Sequence, residues 1–505
     1  MSLSERIATV LAIDPSADAV EHDGRWTTWA QLAGVAEGVR DLVTGSGVRA
    51  PAAVGVLMAN QPSVIGATLG VLLAEGCVVT LSPHQGDAGL AGDLRDLRPP
   101  IVVGPADQWE RPGVRAAAAE LGVLAVVVGT DAAGGRAEVL AGEEGPTVTD
   151  PREAEPGVAV EMLTSGTTGP PKRVPLHYAA FEKTIDAAQR HYRTQAAEDP
   201  DASPRLASGV ALVASPLVHM SGIFRVLLNV CEGRRIALLD RFRVEPWADL
   251  VARHRPKAVS LVPTALRMVY DADLDPELFA SVKVVTSGSA ALDPDLQQRF
   301  EERYGVAVLP SYGATEFAGG VAGWTLPLHQ EWGERKRGSV GRPQPGREVR
   351  TVDLDTGAEV ATGAPGVLEV RVASGEWVRT TDRARIDADG FVWIDGRLDD
   401  AILRGGFKVF PKEVADALRS HPAVLDAGVV GLPDERLGSV PVAAVELRSG
   451  AEATVDELLA HCADHLTRYQ VPARLLVVDA LPRTPSMKVS GPGVSALFQA
   501  PDADG

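Results

Sequence analysis

The chain has 505 residues, 45% of them hydrophobic and 23% charged, which is typical of a soluble globular protein with more than one domain. Its net charge of −18 argues against a nucleic-acid-binding protein and against binding to an anionic membrane surface. Three widely spaced cysteines and an N-terminus without a basic and apolar signal predict a protein of the reducing cytoplasm. Because the net charge is negative, any anionic ligand must be held by local hydrogen-bond donors and not by the overall field of the protein.

Short apolar runs alternate with helical patterns through the first two thirds of the chain. Strands are predicted at 55–59, 77–83, 125–129, 210–215, 258–263 and 283–288, and a helix at 63–75. This alternation predicts α/β layers built on parallel strands.

The pattern changes after residue 340, where short strands between turns predict a β-rich subdomain. The charged, glycine-rich stretch 396–406 predicts a linker. Helices are predicted at 411–421 and at 453–466, the second with a capping box formed by Thr454 and Glu457. We therefore expect a large N-terminal domain over 1–398 and a small α+β C-terminal domain over 399–505.

The segment LTSGTTGPPKRVPL (163–176) is unsuited to the middle of a helix or strand, because glycine and proline interrupt both. Glycines let backbone N–H groups converge on one point, while hydroxyl groups and Lys172 add donors and a positive charge. These features favour a phosphate-binding loop, although the segment lacks the G-x-x-x-x-G-K-[ST] spacing. A solvated connector is the alternative for this segment taken alone.

Four motifs in one order resemble the adenylate-forming superfamily, which includes acyl-CoA synthetases, free-standing amino-acid adenylation domains and firefly-type luciferases. The motifs are TSGTTGPPK (164–172), YGATE (312–316), TTDRARIDADGFVWIDGRLDD (380–400) and PRTPSMK (482–488). The resemblance runs from about residue 26 to Lys488. It implies an acid–thiol ligase that uses ATP and Mg²⁺ to form an acyl-AMP and then transfers the acyl group to coenzyme A.

The resemblance also implies the ATP-binding residues. The first loop would hold the β- and γ-phosphates through Thr164, Ser165, Gly166, Thr167, Thr168 and Lys172. Tyr312 would lie against the adenine, Thr315 would contact the α-phosphate, and Glu316 would help to hold Mg²⁺. Taken alone, Tyr312 could be a core residue and Glu316 a solvated turn residue. The order of the four motifs along the chain favours the functional interpretation.

Further along the chain, the resemblance assigns roles in ribose binding and charge stabilisation. Asp382 would accept hydrogen bonds from both ribose hydroxyls, and Arg397 would add positive charge near the ribose and phosphate. Lys488 would bridge the substrate carboxylate and the α-phosphate. A solvated turn carboxylate and a surface lysine are the ordinary alternatives for Asp382 and Lys488.

The same resemblance implies that the C-terminal domain moves between the two half-reactions. Asp399 would be the hinge of this motion. Gly405 and Gly406 would let the backbone approach the pantetheine arm of CoA closely. A carrier-protein thiol uses the same arm, so CoA and a carrier protein both stay open as acceptors.

The acyl pocket is expected around SPLVHMSG (215–222), where His219 would guard the tunnel, with a structural histidine as the alternative. The expected lining is His219, Met220, Gly222, Ser287, Gly288, Ser289 and Ala290. Amino-acid-activating relatives carry an Asp where Met220 stands here, and a buried ammonium without a carboxylate partner would be costly. We therefore expect an apolar acid. The Ala/Gly/Arg-rich composition resembles that of actinobacterial enzymes. Among acyl-CoA synthetases of that origin, the ligases for bulky terpenoid (alicyclic) acids of platensimycin-type pathways are one candidate group.

Three positions depart from the family pattern, and all belong to the ATP half of the cycle. Arg173 and Met487 stand where glycine is usual, as does Thr381 in the T-G-D motif. Arg173 could add a phosphate contact or restrict its loop, and Met487 narrows the backbone options before Lys488. Two further alternatives follow: an enzyme active only in acyl transfer from acyl-AMP to CoA, and a catalytically silent adenylate-binding protein. The identity of the acid and the oligomeric state stay open.

Overall fold

A computed structural model of the chain describes residues 1–142, 145–164, 172–192, 205–372, 375–484 and 487–499. The described residues form two compact units, the first comprising 1–164, 172–335 and 344–346, and the second 336–343 and 347–499. The expected domain boundary at Asp399 falls inside the second unit. That the residues after Asp399 move as a separate domain stays a prediction. Within the described ranges, no helix has both the length and the apolar character needed to cross a bilayer.

The first unit contains most of the helices. They are α1 (Leu3–Leu11), α2 (Trp29–Gly45), α3 (Pro62–Leu73), α4 (Asp87–Leu97), α5 (Ala106–Trp109), α6 (Pro112–Leu121), α7 (Tyr178–Tyr192), α8 (Met220–Cys231), α9 (Val244–His254), α10 (Pro263–Asp271), α11 (Pro294–Tyr304) and α12 (Leu326–Trp332). Its strands are β1 (Asp18–His22), β2 (Arg25–Thr28), β3 (Ala53–Leu57), β4 (Cys77–Leu81), β5 (Ile101–Pro105), β6 (Leu124–Asp131), β7 (Gly134–Ala141), β8 (Val158–Thr164), β9 (Lys172–His177), β10 (Ala207–Val213), β11 (Arg234–Leu238), β12 (Ala258–Ser260), β13 (Val284–Ser287), β14 (Ala307–Ala314) and β15 (Gly319–Gly323).

The second unit is richer in strands. They are β16 (Arg342–Pro343), β17 (Glu348–Val352), β18 (Gly366–Arg371), β19 (Trp377–Ile386), β20 (Val392–Arg397), β21 (Ile402–Arg404), β22 (Phe407–Val409), β23 (Val424–Asp434), β24 (Gly438–Leu447) and β25 (Arg474–Val478). Its helices are α13 (Pro411–Arg419), α14 (Val455–His465) and α15 (Gly491–Leu497).

The first unit is organised around a sheet with the strand order β7-β6-β5-β3-β4-β8-β9. The five inner strands are parallel, in the order β6-β5-β3-β4-β8. The edge strands β7 and β9 are antiparallel to their neighbours. Every residue of β3, β4 and β5 is buried, which explains their continuous apolar sequences. A second sheet has the order β10-β11-β1-β2, and β12-β13-β14-β15 form a third.

Helices α2 and α3 pack unusually closely because α3 presents glycines to α2. A Cβ atom on Gly66 would lie 2.8 Å from Val35 Cβ, and one on Gly70 would lie 2.5 Å from the Ala36 carbonyl oxygen. Nearly all of α3 is buried as a result, which explains why its sequence is apolar on all sides.

Two sheets make up the second unit. The strands β17-β18-β19-β20 form an antiparallel sheet, and β22-β21-β24-β23 form another, with β25 parallel to β24. An ion pair between Arg383 on β19 and Glu413 on α13, 2.8 Å from Nη1 to Oε1, links the two parts. Arg383 also lies over the ring of Phe410, at 4.8 Å from its centroid.

The mixed α/β fold with a β-rich region and a small α+β region confirms the fold class predicted from the sequence. The capping box is also confirmed, with Thr454 accepting from Glu457 N–H and Glu457 accepting from Thr454 N–H. The predicted strand at 258–263 is shorter, because Pro263 begins α10. The predicted linker at 396–406 was too long, because β20 includes Arg397 and the β21–β22 hairpin starts at Ile402.

The three cysteines are free thiols. Burial raises the pKa of Cys77 and of Cys231 to about 12, and that of Cys462 to about 11. A thiol with such a pKa carries almost no thiolate at neutral pH, so we expect all three to be unreactive.

Candidate functional site

Strands β8 and β9 bracket the predicted phosphate loop. They pair antiparallel, with Thr164 opposite Lys172 and Leu163 opposite Arg173, and Lys172 is exposed. Four residues predicted to bind phosphate lie outside the described residues: Ser165, Gly166, Thr167 and Thr168. The phosphate role of the loop therefore stays a prediction.

Arg173, the first departure from the family pattern, contacts the sheet. Its Nη2 donates to the carbonyl oxygen of Thr80 on β4 at 3.1 Å, and its Nη1 to that of Glu161 on β8 at 3.5 Å. Burial lowers the pKa of Arg173, with a smaller contribution from the positive charge of Arg152. These contacts hold the start of β9 against β4 and β8. They favour the interpretation that Arg173 restricts its loop over the interpretation that it contacts phosphate.

The YGATE segment forms a tight reversal between β14 and β15. Tyr312 lies opposite Ala322, and a short 3₁₀ helix over Thr315–Phe317 follows the strand. A Cβ atom on Gly313 would collide with the Gly319 carbonyl oxygen, so only glycine allows this reversal. Tyr312 and Thr315 are half-buried and Glu316 is exposed. The reversal thus holds three predicted binding residues within one short segment: Tyr312 for adenine, Thr315 for the α-phosphate and Glu316 for Mg²⁺.

His219 is the N-cap residue of α8, and its carbonyl oxygen accepts from the N–H groups of Gly222 and Ile223 at 3.0 and 3.1 Å. Gly222 is buried, and a Cβ atom there would collide with the Pro216 carbonyl oxygen. Met220 packs against the apolar core of the first unit. The segment 216–222 is therefore a compact turn that fixes where His219 lies.

The predicted wall at 287–290 begins at the end of β13, where Ser287 is 2% exposed. A Cβ atom on Gly288 would lie 2.7 Å from Ser311 Oγ. Ser289 has a φ of 71°, a left-handed conformation that is strained for a residue other than glycine. Ser289 and Ala290 are both exposed.

In the second unit, the structure brings together Asp382 and Arg397, which are paired residues of β19 and β20. Arg397 donates to both carboxylate oxygens of Asp399, from Nε at 2.9 Å and from Nη2 at 2.6 Å. These charge-assisted hydrogen bonds raise the pKa of Arg397. The structure thus places Arg397 beside both Asp382, the candidate for ribose binding, and Asp399, the predicted hinge.

Thr381, where the family pattern has glycine, also contacts Arg397. Its Oγ1 accepts from Arg397 Nη2 at 2.9 Å, so the hydroxyl group helps to fix the guanidinium. The sequence marked Thr381 as a departure but did not predict this contact, because it depends on the register between β19 and β20.

Met487 and Lys488 belong to a tight turn. Thr484 N–H donates to the Lys488 carbonyl oxygen and Met487 N–H to that of Thr484, both at 2.8 Å. Met487 has a φ of 65°, so it adopts the left-handed conformation in the position where the family has glycine. Lys488 is exposed, yet partial loss of hydration lowers its pKa, and the positive charge of Arg397 lowers it further.

We expect Met487→Gly to be more stable than Met487→Ala by about 1 kcal/mol, because only glycine adopts this backbone conformation without strain. Both variants lose the methionine side chain, so their difference isolates the backbone effect. The free energy of unfolding from urea denaturation measures it. Equal stability of the two variants would contradict the assigned strain.

Gly405 and Gly406 form the turn of the β21–β22 hairpin, with φ values of 57° and 89°. Gly405 N–H donates to the Leu437 carbonyl oxygen at 2.8 Å. The left-handed conformation explains why glycine is required at both positions. Their predicted contact with pantetheine stays a prediction.

Two family profiles match the chain in order. That of AMP-binding enzymes matches residues 8–375, and that of the AMP-binding enzyme C-terminal domain matches residues 413–488. Sulfoacetate–CoA ligase of Cupriavidus necator is 32% identical over 349 aligned positions, which cover 66% of this chain and 65% of that protein. Indoleacetate–CoA ligase of Aromatoleum aromaticum is 28% identical over 527 positions, 98% of each chain.

Solved structures of similar proteins cover nearly the whole chain. ATP-bound MatB from Rhodopseudomonas palustris superimposes with a TM-score of 0.82 at 25% identity, covering 99% of each chain. The amide bond synthetase McbA from Marinactinospora thermotolerans has a TM-score of 0.80 at 26% identity, covering 99% of this chain and 100% of that protein. The first profile alone spans well over half of the sequence, and the chain therefore belongs to the family of AMP-binding, adenylate-forming enzymes.

Proposed function

We propose that this protein is an AMP-forming acyl-CoA synthetase, an acid–thiol ligase. The observation that carries the proposal is the ordered match to both profiles of the family, the second of which ends at Lys488. In the first half-reaction, a carboxylate oxygen attacks the α-phosphorus of ATP, and pyrophosphate leaves. In the second, the CoA thiol loses its proton and attacks the acyl carbonyl carbon, and AMP leaves.

The residues of the first unit provide the donors and the carboxylate that such a site needs. Lys172 would contribute charge to the triphosphate, and Thr315 a hydroxyl group to the α-phosphate. Mg²⁺ prefers one or two carboxylates together with phosphate oxygens and water, and the exposed carboxylate of Glu316 fits that donor set. When bound, the ion would neutralise phosphate charge, while Tyr312 orients the nucleotide through its adenine.

The proposal assigns nucleotide binding and charge stabilisation to residues of the second unit as well. Asp382 would bind the ribose, and Arg397 would stay oriented by Thr381 and Asp399. Lys488 would stabilise the charge that develops between the carboxylate and the α-phosphate. Gly405 and Gly406 would serve the later step, in which the thiol approaches through a tunnel guarded by His219.

The proposed substrate is a carboxylic acid with an apolar body, and bulky alicyclic acids belong to this class. Met220 supports the choice, because it stands where amino-acid-activating relatives have an Asp and it packs against apolar side chains. A reaction that draws on ATP and CoA fits the cytoplasm, and we place it there.

The test is a set of incubations of the purified protein with ATP, Mg²⁺, CoA and a panel of acids. We expect AMP and an acyl-CoA thioester to form in equal amounts for at least one acid. A parallel arm replaces CoA with a pantetheinylated carrier protein. Thioester on the carrier alone would redirect the proposal to that acceptor. Binding of an acyl-AMP analogue without any AMP formation would contradict the proposal.

A further inference from the structure

Asn60 is a buried polar residue that connects two sheets of the first unit. It lies just after β3, the central strand of the largest sheet, and is 7% exposed. Its side chain reaches two chain segments that leave the second sheet at the carboxyl ends of the parallel strands β10 and β11. Because burying an amide is costly unless it is hydrogen-bonded, its partners show what the residue contributes.

The amide of Asn60 makes three hydrogen bonds to main-chain groups. Its Nδ2 donates to the carbonyl oxygen of Leu239 at 2.8 Å and to that of Ser215 at 3.2 Å. Its Oδ1 accepts from the N–H group of Leu217 at 2.8 Å. These partners fix the orientation of the amide, because a carbonyl oxygen can only accept and an N–H group can only donate. Asn60 therefore holds the segment 215–217 against the end of β11.

The position of Leu217 is transmitted to His219 over two residues. Leu217 and Val218 are 2% and 6% exposed, so both side chains are packed on nearly all sides. His219 N–H donates to the Pro216 carbonyl oxygen at 3.0 Å, and α8 begins directly after His219. His219 thus lies between the residues that Asn60 holds and the first turn of the helix.

We propose that Asn60 is a positioning residue for the acyl site: by holding 215–217, it keeps His219 where it guards the acyl tunnel. The inference rests on the proposed function and adds a residue to that same site. A displaced guard would admit water, which attacks the acyl carbonyl carbon of the bound acyl-AMP, loses a proton and releases the free acid and AMP. Loss of the Asn60 contacts should therefore separate AMP formation from thioester formation.

The first experiment measures hydrolysis of a supplied acyl-AMP in a single turnover, with saturating enzyme and no CoA. The probes are octanoyl-AMP and cyclohexanecarbonyl-AMP, which carry a linear and an alicyclic apolar body. Asn60→Leu has nearly the same shape as the wild type but no hydrogen-bonding groups. We expect it to hydrolyse the bound probe at least about tenfold faster than the wild type, since the main-chain groups at 215, 217 and 239 lose their partner. Asn60→Ser, which also lacks the amide, provides the same test if Asn60→Leu does not fold.

Leu94→Ala is the matched control for lost stability. Leu94 on α4 is buried in an apolar cluster that includes no residue of 215–222, and its truncation leaves a cavity there. Urea denaturation gives the free energy of unfolding of each variant, so that the hydrolysis rates are compared at known stability. If Leu94→Ala accelerates hydrolysis as much as Asn60→Leu does, the effect follows from stability alone, and the proposal is overturned.

A double-mutant cycle tests whether Asn60 acts through His219. His219→Ala alone should accelerate hydrolysis of the bound probe. Adding Asn60→Leu to His219→Ala should accelerate it further by less than about twofold, because the guard is already missing. Effects that multiply in the double variant would show that Asn60 acts by another route, and they too would overturn the proposal.

A binding measurement separates this inference from the proposed function. The acyl-sulfamoyl adenosines that correspond to the two probes are titrated into the wild type by calorimetry. Hydrolysis of bound acyl-AMP that Asn60→Leu accelerates and Leu94→Ala does not supports the inference even if the wild type forms no thioester with CoA. Thioester formation by the wild type, with unchanged hydrolysis in Asn60→Leu, rejects the inference alone. Binding of neither analogue by the wild type rejects both.

Discussion

Replacing Lys488 with glutamine is expected to lower the rate of acyl-AMP formation by about 10²–10³-fold, because it removes the charge that is proposed to stabilise the transition state. Thioester formation from supplied acyl-AMP should change by no more than about twofold, since the C-terminal domain that carries Lys488 is expected to move between the two half-reactions. Pyrophosphate exchange driven by the acid measures the first rate, and thioester formation from synthetic acyl-AMP measures the second.

Lys412→Gln is the matched control, because it removes a lysine of the same unit that pairs with Asp416 on the surface of α13. We expect both rates to be unaffected in this variant. A parallel loss of both half-reactions in Lys488→Gln would contradict the assignment of Lys488 to the adenylation step.

The lowered pKa of Lys488 gives a pH dependence with a definite direction. Desolvation and the charge of Arg397 disfavour the ammonium form, so the free enzyme loses this proton at a lower pH than an ordinary lysine does. Since the role proposed for Lys488 in adenylation needs its ammonium form, kcat/KM for adenylation should fall as the pH rises through that lowered pKa. An alkaline limb that persists unchanged in Lys488→Arg would assign it to another group.

Asp399→Pro is expected to reduce thioester formation by about tenfold or more and acyl-AMP formation much less, because proline fixes the φ dihedral at the predicted hinge. The ion pair between Arg383 and Glu413 joins elements on either side of Asp399, and Glu413 also accepts from Gln470 Nε2 at 2.6 Å. A rotation about Asp399 must break the Arg383–Glu413 contact. The two assays used for Lys488 separate the steps.

Asp399→Ala is the control for the hinge, because it removes the carboxylate partner of Arg397 while leaving the backbone free to rotate. A loss that depends on the hinge should appear in Asp399→Pro and be much smaller in Asp399→Ala. Equal loss of both half-reactions in Asp399→Pro, with the fold intact by circular dichroism, would mean that Asp399 is not a selective hinge.

Local sequence patterns predicted those features that depend on neighbours in the chain. The buried strands β3 and β4 are short apolar runs, and the capping box before α14 needs only two residues three positions apart. At Met487, where glycine is usual in the family, the sequence predicted restricted backbone options, and the residue has a φ of 65°. In each case the determining physics acts within a few residues.

Contacts between distant segments could not be predicted in the same way. Arg173 donates to the Thr80 carbonyl oxygen, a partner 93 positions away in the chain. Thr381 meets Arg397 only because β19 and β20 pair in one register, and Arg225 meets Thr286 only because α8 lies beside β13. Such contacts depend on how layers pack and on strand register, which a single sequence specifies only through the whole fold.

Because β8 and β9 pair antiparallel, the segment between them can be exchanged for another of the same length. The partners Thr164 and Lys172 set its two ends, and a shift of one residue in β9 would turn Lys172 to the opposite side of the sheet. Phosphate loops from related enzymes could therefore be transplanted into this chain if they keep seven residues between the same two paired positions. Loops one residue shorter or longer would have to absorb the difference themselves, because Arg173 ties β9 to the Thr80 carbonyl oxygen and opposes any slip of the strand.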